Sequence, residues 1–209
     1  MSKAGERAYN AIRDQILDGT LAPGSQVREE DIAHACATSR TPVREAIRRL
    51  EGEKLIERDR QRSYVRVWSE AAMRDVFALR LMVEPYVAGQ AARLIQPESV
   101  DVLRRANDIY RRELAMARPD ISVIVTQNNL FHETLLDATG SDVLQMILPR
   151  LIAVPIVPLS LRRYDRPQLE KALEEHDELV MALEARDPEW ASMIMTGHIH
   201  RARRVFFET

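Results

Sequence analysis

Cysteine is almost absent from the 209-residue chain: Cys36 stands alone. No intrachain disulfide framework can form, and a reducing compartment is expected. Glycine is scarce at 7 residues, and aromatics make up only 5%. With Ala, Leu, Arg and Glu abundant, this disfavours a glycine-punctuated β fold and favours helices. No apolar run approaches the roughly 18 residues that a bilayer span needs. The stretch Met1–Arg7 lacks the apolar core of a secretory signal. These absences predict a cytoplasmic protein with no membrane partner. Nor does one sign of charge dominate: 30 Lys and Arg against 32 Asp and Glu give a formal net charge of −2. That excludes a uniformly basic coat for nucleic acid.

What is present is unevenly placed. Residues 1–68 hold 13 basic and 11 acidic side chains, and residues 69–209 hold 17 and 21. Within Arg40–Arg66 there are 9 basic against 5 acidic, so positive charge gathers where a polyanion would dock. A solvated arginine-rich helix face is the competing explanation of charge alone. The length allows one domain or two small ones.

The periodicity predicts two halves. Ala8, Ile12 and Ile16 mark an amphipathic helix over Glu6–Leu17. Asp18-Gly19-Thr20 ends it, with Gly19 suited to a left-handed cap, and Leu21–Ser25 forms a turn. Arg28–Ala37 reads as a second helix. Thr41-Pro42 opens a third, running to Leu50, with Val43, Ala46, Ile47 and Leu50 as its buried stripe. Two strand-like runs, Leu55–Arg58 and Tyr64–Val67, flank a basic stretch and predict a β-hairpin. Three helices followed by a hairpin wing make a winged helix-turn-helix over 1–68. From Ser69 onward the pattern is helical. A long helix contains Pro85, which should bend it, and further helices are expected near 97–117, 120–138, 141–163, 167–185 and 187–207. Pro155 and Pro158 should distort the helix near 141–163. The fold class is therefore mainly α: a winged helix-turn-helix, then an all-α bundle of about six helices over 69–209.

On the third helix Arg40, Arg44 and Arg48 recur every four residues, opposite the apolar stripe. Apolar anchors on one side and long planar donors on the other suit a helix that reads the major groove. Ser39 and Thr41 are placed to cap that helix and to donate to phosphate. Arg58, Arg60, Arg62 and Arg66 of the hairpin could track the backbone. A protein-binding winged helix with a charged surface remains the alternative at this level. The turn Asp18–Gly24 and the run Ser39–Leu50 (SRTPVREAIRRL) resemble the "G-x-L-x-P-G" turn and the "SRTPVREALxxL" recognition helix of the GntR family of bacterial transcription regulators. That resemblance implies a homodimer on near-palindromic operator DNA. It implies Arg40, Thr41 and Arg44 as contacts, with Arg62 and Ser63 from the wing. The family's pattern carries Gly where Ala37 stands and at about Ser63. Some relatives place a DNA-contacting Arg where Glu30 stands, and no contact is carried onto Glu30.

The second half contains His132, His176, His198 and His200. Asn128 and His132 are four apart on one predicted helix and share a face, whereas His176 and His198 fall on two later helices. Three imidazoles and an amide oxygen converging in a bundle could hold a divalent metal. Scattered helical histidines are more often surface or hydrogen-bonded core residues. Phe77–Pro85, Asn128–His132, and Glu175–Asp187 with Met195 and His198 resemble "FELRxxLEP", "DxxFH" and "EHxxIxxAIxxxD…MxxH" of the FadR-like (FCD) branch of those regulators. The resemblance implies Asn128, His132, His176 and His198 as ligands. Three imidazoles suit zinc, with nickel or manganese as alternatives. Asn128 replaces the family's Asp and removes one negative charge. Affinity should fall below about pH 6 as imidazoles protonate. His200, about 200° around the helix from His198, points elsewhere.

The resemblance further implies a small organic acid effector in the bundle. Arg80 stands at the family's Arg position and is the candidate to grip a carboxylate. Its alternative is an intrahelical pair with Glu84. Tyr86, Gln127, Asn129 and Arg150 are candidates for the remaining lining. Two other functions compete with this reading. A metal-dependent hydrolase is disfavoured, because the chain has no His-Glu-x-x-His motif and such an enzyme leaves residues 1–68 unexplained. A pure metal sensor would use the same cluster without an organic acid.

Overall fold

A computed structural model describes residues 1–17, 19–152, 160–161 and 163–208, without the side chains of residues 150 and 152. Two compact units emerge, one formed by Met1–Met73 and the other by Arg74–Leu151 with Ser160–Thr209. Each is described by itself.

The first unit contains α1 (Lys3–Leu17), β1 (Gln26–Val27), α2 (Glu29–Ala35), α3 (Arg40–Gly52), β2 (Ile56–Asp59) and β3 (Arg62–Val65). Ala8, Ile12 and Ile16 of α1 meet Val43, Ala46, Ile47 and Leu50 of α3, and all are buried. The helix stripes predicted from spacing are thus the stripes that pack. The hairpin shifts by one or two residues from its predicted limits and gains a partner. β1 adds to β3 as a third antiparallel strand, with Gln26 opposite Tyr64 and Val27 opposite Ser63. Two residues carry no readable alternation, so the sequence pattern leaves Gln26–Val27 unassigned between the turn and the second helix. Gly24 makes that turn at φ +81 and donates to Val65 O at 2.8 Å.

Two local predictions about this unit are revised. Ser39 occupies the N-cap position of α3, but its side chain makes no cap hydrogen bond. The left-handed residue of the wing is Arg60, at φ 54, rather than Ser63. Asp59 pairs with Arg62 across a two-residue turn, which demands positive φ inside the turn itself. Ala37 takes φ 47 between α2 and α3, the left-handed conformation where the resembling family carries glycine.

The second unit contains α4 (Glu70–Leu94, begun in the first unit's last residues), α5 (Pro97–Leu114), α6 (Ile121–Ala138), α7 (Asp142–Ile152), α8 (Arg166–Glu184) and α9 (Pro188–Glu208). No strand is found here among the described residues. α4 continues through Pro85 as one helix. Pro97 starts α5, Asp120 caps α6 through Ser122 N, and Asp165 forms a capping box with Gln168 on α8. These are the expected uses of such residues at helix starts. α5 packs against α6 and α8, and α8 against α9. Leu103 and Tyr110 of α5, Ile124, Phe131 and Leu135 of α6, Leu179 and Leu183 of α8, and Met195 and Ile199 of α9 fill the interior. Pro155 and Pro158, expected to distort one helix, lie outside the described residues.

Candidate functional site

Three helices of the second unit deliver one imidazole each to its interior. His132 comes from α6, His176 from α8 and His198 from α9. Their potential ligand atoms lie within 4.8 Å of one another. Ring centroids are 5.5 Å apart for His132–His176, 5.4 Å for His132–His198 and 5.0 Å for His176–His198. Phe131 stacks flat on His176, 4.1 Å between centroids. It shields that ring from water and fixes its plane.

Two buried carboxylates face the ring edges. Glu175 Oε2 lies 2.9 Å from His198 Nδ1. An ionised carboxylate only accepts, so Nδ1 carries the proton and His198 Nε2 keeps a lone pair. The same Glu175 also takes a hydrogen bond from Arg201 Nη2. Glu84 Oε2 lies 3.3 Å from His132 Nδ1 but without hydrogen-bond geometry, and Oε2 has no hydrogen-bond partner. Glu84 Oε1 accepts from Arg80 Nε at 2.5 Å. Neither member of this Arg80–Glu84 pair is more than 3% exposed.

The electrostatics keep the imidazoles neutral. Burial lowers the pKa of His132, a drop partly offset by Glu84. Burial, reinforced by the other two rings, pushes His176 well down. Burial brings His198 to about 4, against a partial offset from Glu84. Burial alone would raise Glu84, but the Arg80 guanidinium beside it holds it down at about 2. Burial raises Tyr164 to about 12, with Arg80 and Arg201 opposing. The result is three neutral nitrogen donors beside permanent positive and negative charges.

Buried polar atoms without a partner are rare and call for an explanation. Among the described residues of this unit they are His176 Nε2, Arg80 Nη1, Glu84 Oε2, Gln127 Oε1 and Arg201 Nε. An unpartnered imidazole nitrogen among two others suits a divalent cation, which binds neutral imidazole. The donor set therefore fits a metal. Asn128 is buried one helical turn before His132, on the same face of α6. Arg80 adopts its intrahelical pair with Glu84, yet its Nη1 remains available for a carboxylate.

The remaining predicted lining is mixed. Gln127 and Asn129 are half-buried on α6. Tyr86 is 56% exposed and does not line the interior. Its face of α4 carries Leu79 and Met82, also exposed. The Arg150 side chain lies outside the described residues. His200 is exposed, as its angle from His198 requires. Glu175, Arg201 and Tyr164 were not singled out from the sequence. Glu175 directly precedes His176, and that adjacency was the one available signal.

In the first unit Arg40, Thr41, Arg44 and Arg48 are exposed on α3, opposite its buried stripe. Arg44 Nε donates to Glu29 Oε2 at 2.8 Å, and Arg40 Nη2 donates to Glu30 Oε1. Arg62 is exposed on the wing, but Ser63 is buried, facing inward at 7% exposure. Alternation along β3 places Ser63 on the core side. Arg58 pairs with Glu51, and the Arg66 guanidinium lies over the Trp68 ring.

Residues 75–201 match the FCD domain, and residues 4–65 match the family described as bacterial regulatory proteins, gntR family. The chain is 31% identical over 186 residues to a probable D-xylose utilization operon transcriptional repressor of Paenarthrobacter nicotinovorans, covering 88% of this chain and 80% of that protein. It is 28% identical over 206 residues to the gluconate operon transcriptional repressor of Bacillus subtilis (strain 168), covering 95% and 83%. Among solved structures, E. coli McbR/YncC superposes with a TM-score of 0.87 at 19% identity, over 100% of this chain and 99% of that one. At that identity the likeness concerns the fold.

Proposed function

The chain belongs to the GntR family of bacterial transcriptional regulators, in the branch that carries an FCD domain, and on that premise we propose that it is a cytoplasmic homodimer that binds operator DNA and senses a small organic acid at a metal site. In this reading residues 1–68 bind DNA and residues 69–209 bind the effector and dimerise. The observation that carries the sensing half is the convergence of His132, His176 and His198, with His176 Nε2 left unpartnered.

His132, His176 and His198 hold the metal, with Asn128 as the fourth protein ligand and zinc as the expected ion. A bound divalent cation supplies a Lewis-acidic anchor for a carboxylate oxygen. Glu175 orients the His198 ring. Arg80 Nη1 offers a charge-assisted hydrogen bond to the same carboxylate, and Gln127 and Asn129 supply polar lining. One relative's name ties it to the gluconate operon, an operon named for a sugar acid, which accords with a carboxylate effector. The apolar stripes Leu79–Met82–Tyr86 on α4 and Val143–Met146–Ile147 on α7 are exposed at helical spacing. Stripes of that kind suit a second copy of the chain.

On DNA, Arg40, Thr41, Arg44 and Arg48 of α3 face the major groove, and Arg62 of the wing follows the backbone. An effector changes operator affinity only by its differential affinity for the two arrangements of the paired heads. The test is to select duplexes from a random pool with the purified protein. Binding to the selected duplex is then measured with chelator, with zinc, and with zinc plus a panel of small carboxylates. A response to zinc alone would favour the pure metal sensor. A selected sequence whose binding no carboxylate alters would remove the effector from the proposal.

A further inference from the structure

We infer that two adjacent acids at the start of α2 have opposite roles in DNA recognition: Glu29 aims Arg44, and Glu30 restrains Arg40. The inference rests on the reading of α3 as the DNA-facing helix. It comes from the atoms used in the two ion pairs. Glu29 Oε2 accepts from Arg44 Nε, the inner nitrogen of the guanidinium. Both terminal nitrogens of Arg44 stay available, and they form the parallel fork that grips guanine O6 and N7. A carboxylate on Nε also removes rotational freedom from a long side chain, so less order must be gained on binding. Glu29 is thus a positioning residue for a reader.

Glu30 engages its arginine differently. Its Oε1 accepts from Arg40 Nη2, one of the terminal nitrogens. One arm of that fork is occupied, and Arg40 must release Glu30 before it can take a phosphate or a base edge bidentately. Glu29, Glu30 and Asp31 also crowd the first turn of α2 with negative charge, which repels a phosphate backbone. Both arginine side chains are 54% exposed, so Arg40 is not locked to Glu30 and can exchange it for DNA, while Arg44 can reach DNA with Glu29 still on Nε. Glu30 therefore lowers affinity for any duplex, and Glu29 raises preference for the right one.

The experiment uses the full chain and two labelled duplexes, one selected from a random pool by the unmodified protein and one scrambled. Affinities are measured across a salt series. Glu29→Ala should narrow the ratio between the two duplexes by roughly tenfold, the scale of one bidentate base contact. The loss should fall on the selected duplex, with no weakening on the scrambled one. Glu29→Gln should restore most of the ratio, because its amide oxygen still accepts from Nε. Glu30→Gln should strengthen both duplexes together, by about threefold or more. It should also steepen the slope of log affinity on log salt by about 0.9, one additional phosphate contact. Thermal melts of all variants should match the parent.

If Glu29→Ala and Glu30→Gln strengthen both duplexes alike, the two acids act only through charge and the inference is overturned. Arg44→Ala separates the two levels of the claim. If it loses discrimination while Glu29→Ala does not, the positioning role alone fails. If it keeps full discrimination, or if the parent selects no sequence from the pool, the DNA reading of α3 fails and this inference with it.

Discussion

Both halves of the molecule hold arginine–glutamate pairs, and the same chemistry has different consequences in each. Arg44–Glu29 and Arg40–Glu30 sit in water, where such a pair is worth about 0–1 kcal/mol and exchanges readily. In the proposed reading Arg40 must trade Glu30 for phosphate or base, and Arg44 keeps Glu29 on Nε while its terminal nitrogens read. Arg80–Glu84 is buried, beside three neutral imidazoles. There no group can leave its partner without cost. One unit keeps its charges exchangeable, and the other keeps them fixed beside the three imidazoles.

The largest test of that contrast is to break the buried pair. Glu84→Ala should destabilise the protein by about 3–5 kcal/mol, because Arg80 is left as an uncompensated buried charge. Replacing both partners with apolar residues, Arg80→Met with Glu84→Leu, should recover much of this in urea unfolding. If Glu84→Ala proves as mild as a surface substitution, the pair is wetter than its burial implies.

Acid should expose the same difference. His132, His176 and His198 have folded pKa values below the ordinary imidazole range, His198 at about 4. Below the unfolded value of about 6.5 the unfolded chain binds more protons than the folded one, so stability rises with pH there. In metal-free protein it should fall as pH drops from about 6.5 toward 4. Glu84, held at about 2, keeps its own contribution until pH falls below the unfolded carboxylate range. Metal binding should also persist below the pH of about 6 expected for ordinary imidazoles, because fewer protons compete. Denaturation midpoints from pH 7.5 to 4.5, with and without zinc, check both. A flat metal-free profile would mean the rings are solvated.

Substitution within the cluster should rank its members. His132→Ala, His176→Ala and His198→Ala should each weaken zinc by at least the roughly 10–100-fold that outer partners contribute. Asn128→Ala should matter less, since a water can replace a neutral amide oxygen, and Asn128→Asp should tighten binding by adding a negative charge beside the cation. Titration against a competing chelator would give the order. On the DNA side, Arg44→Ala should relax base preference at one position per half-site by about 1–3 kcal/mol. The smallest effect is on folding: Arg40→Ala and Arg44→Ala should shift stability within about 0.5 kcal/mol. A larger loss would make their ion pairs structural.

The two units were also unequally legible. The face of α3 could be read because its evidence is local: Val43, Ala46, Ile47 and Leu50 on one side and Arg40, Arg44 and Arg48 on the other repeat within four turns. The histidine cluster is assembled from α6, α8 and α9, and spacing along the chain contains no distance between helices. Only the resemblance joined His132 to His176 and His198. Ser63 and Tyr86 show where motif position misleads. Strand alternation turned Ser63 inward, and helix phase turned Tyr86 outward with Met82. Glu29 and Glu30 could not be paired with their arginines from sequence, because the α2–α3 turn through Ala37 sets that approach.

Metal content tests the central claim most directly. Protein purified without a nickel column, analysed for its elements and then exposed to micromolar zinc at pH 7.5, should carry close to one divalent ion per chain. His176→Ala should abolish it. Occupancy of a few per cent, with no uptake from zinc, would contradict the account and leave Arg80 alone to hold a carboxylate.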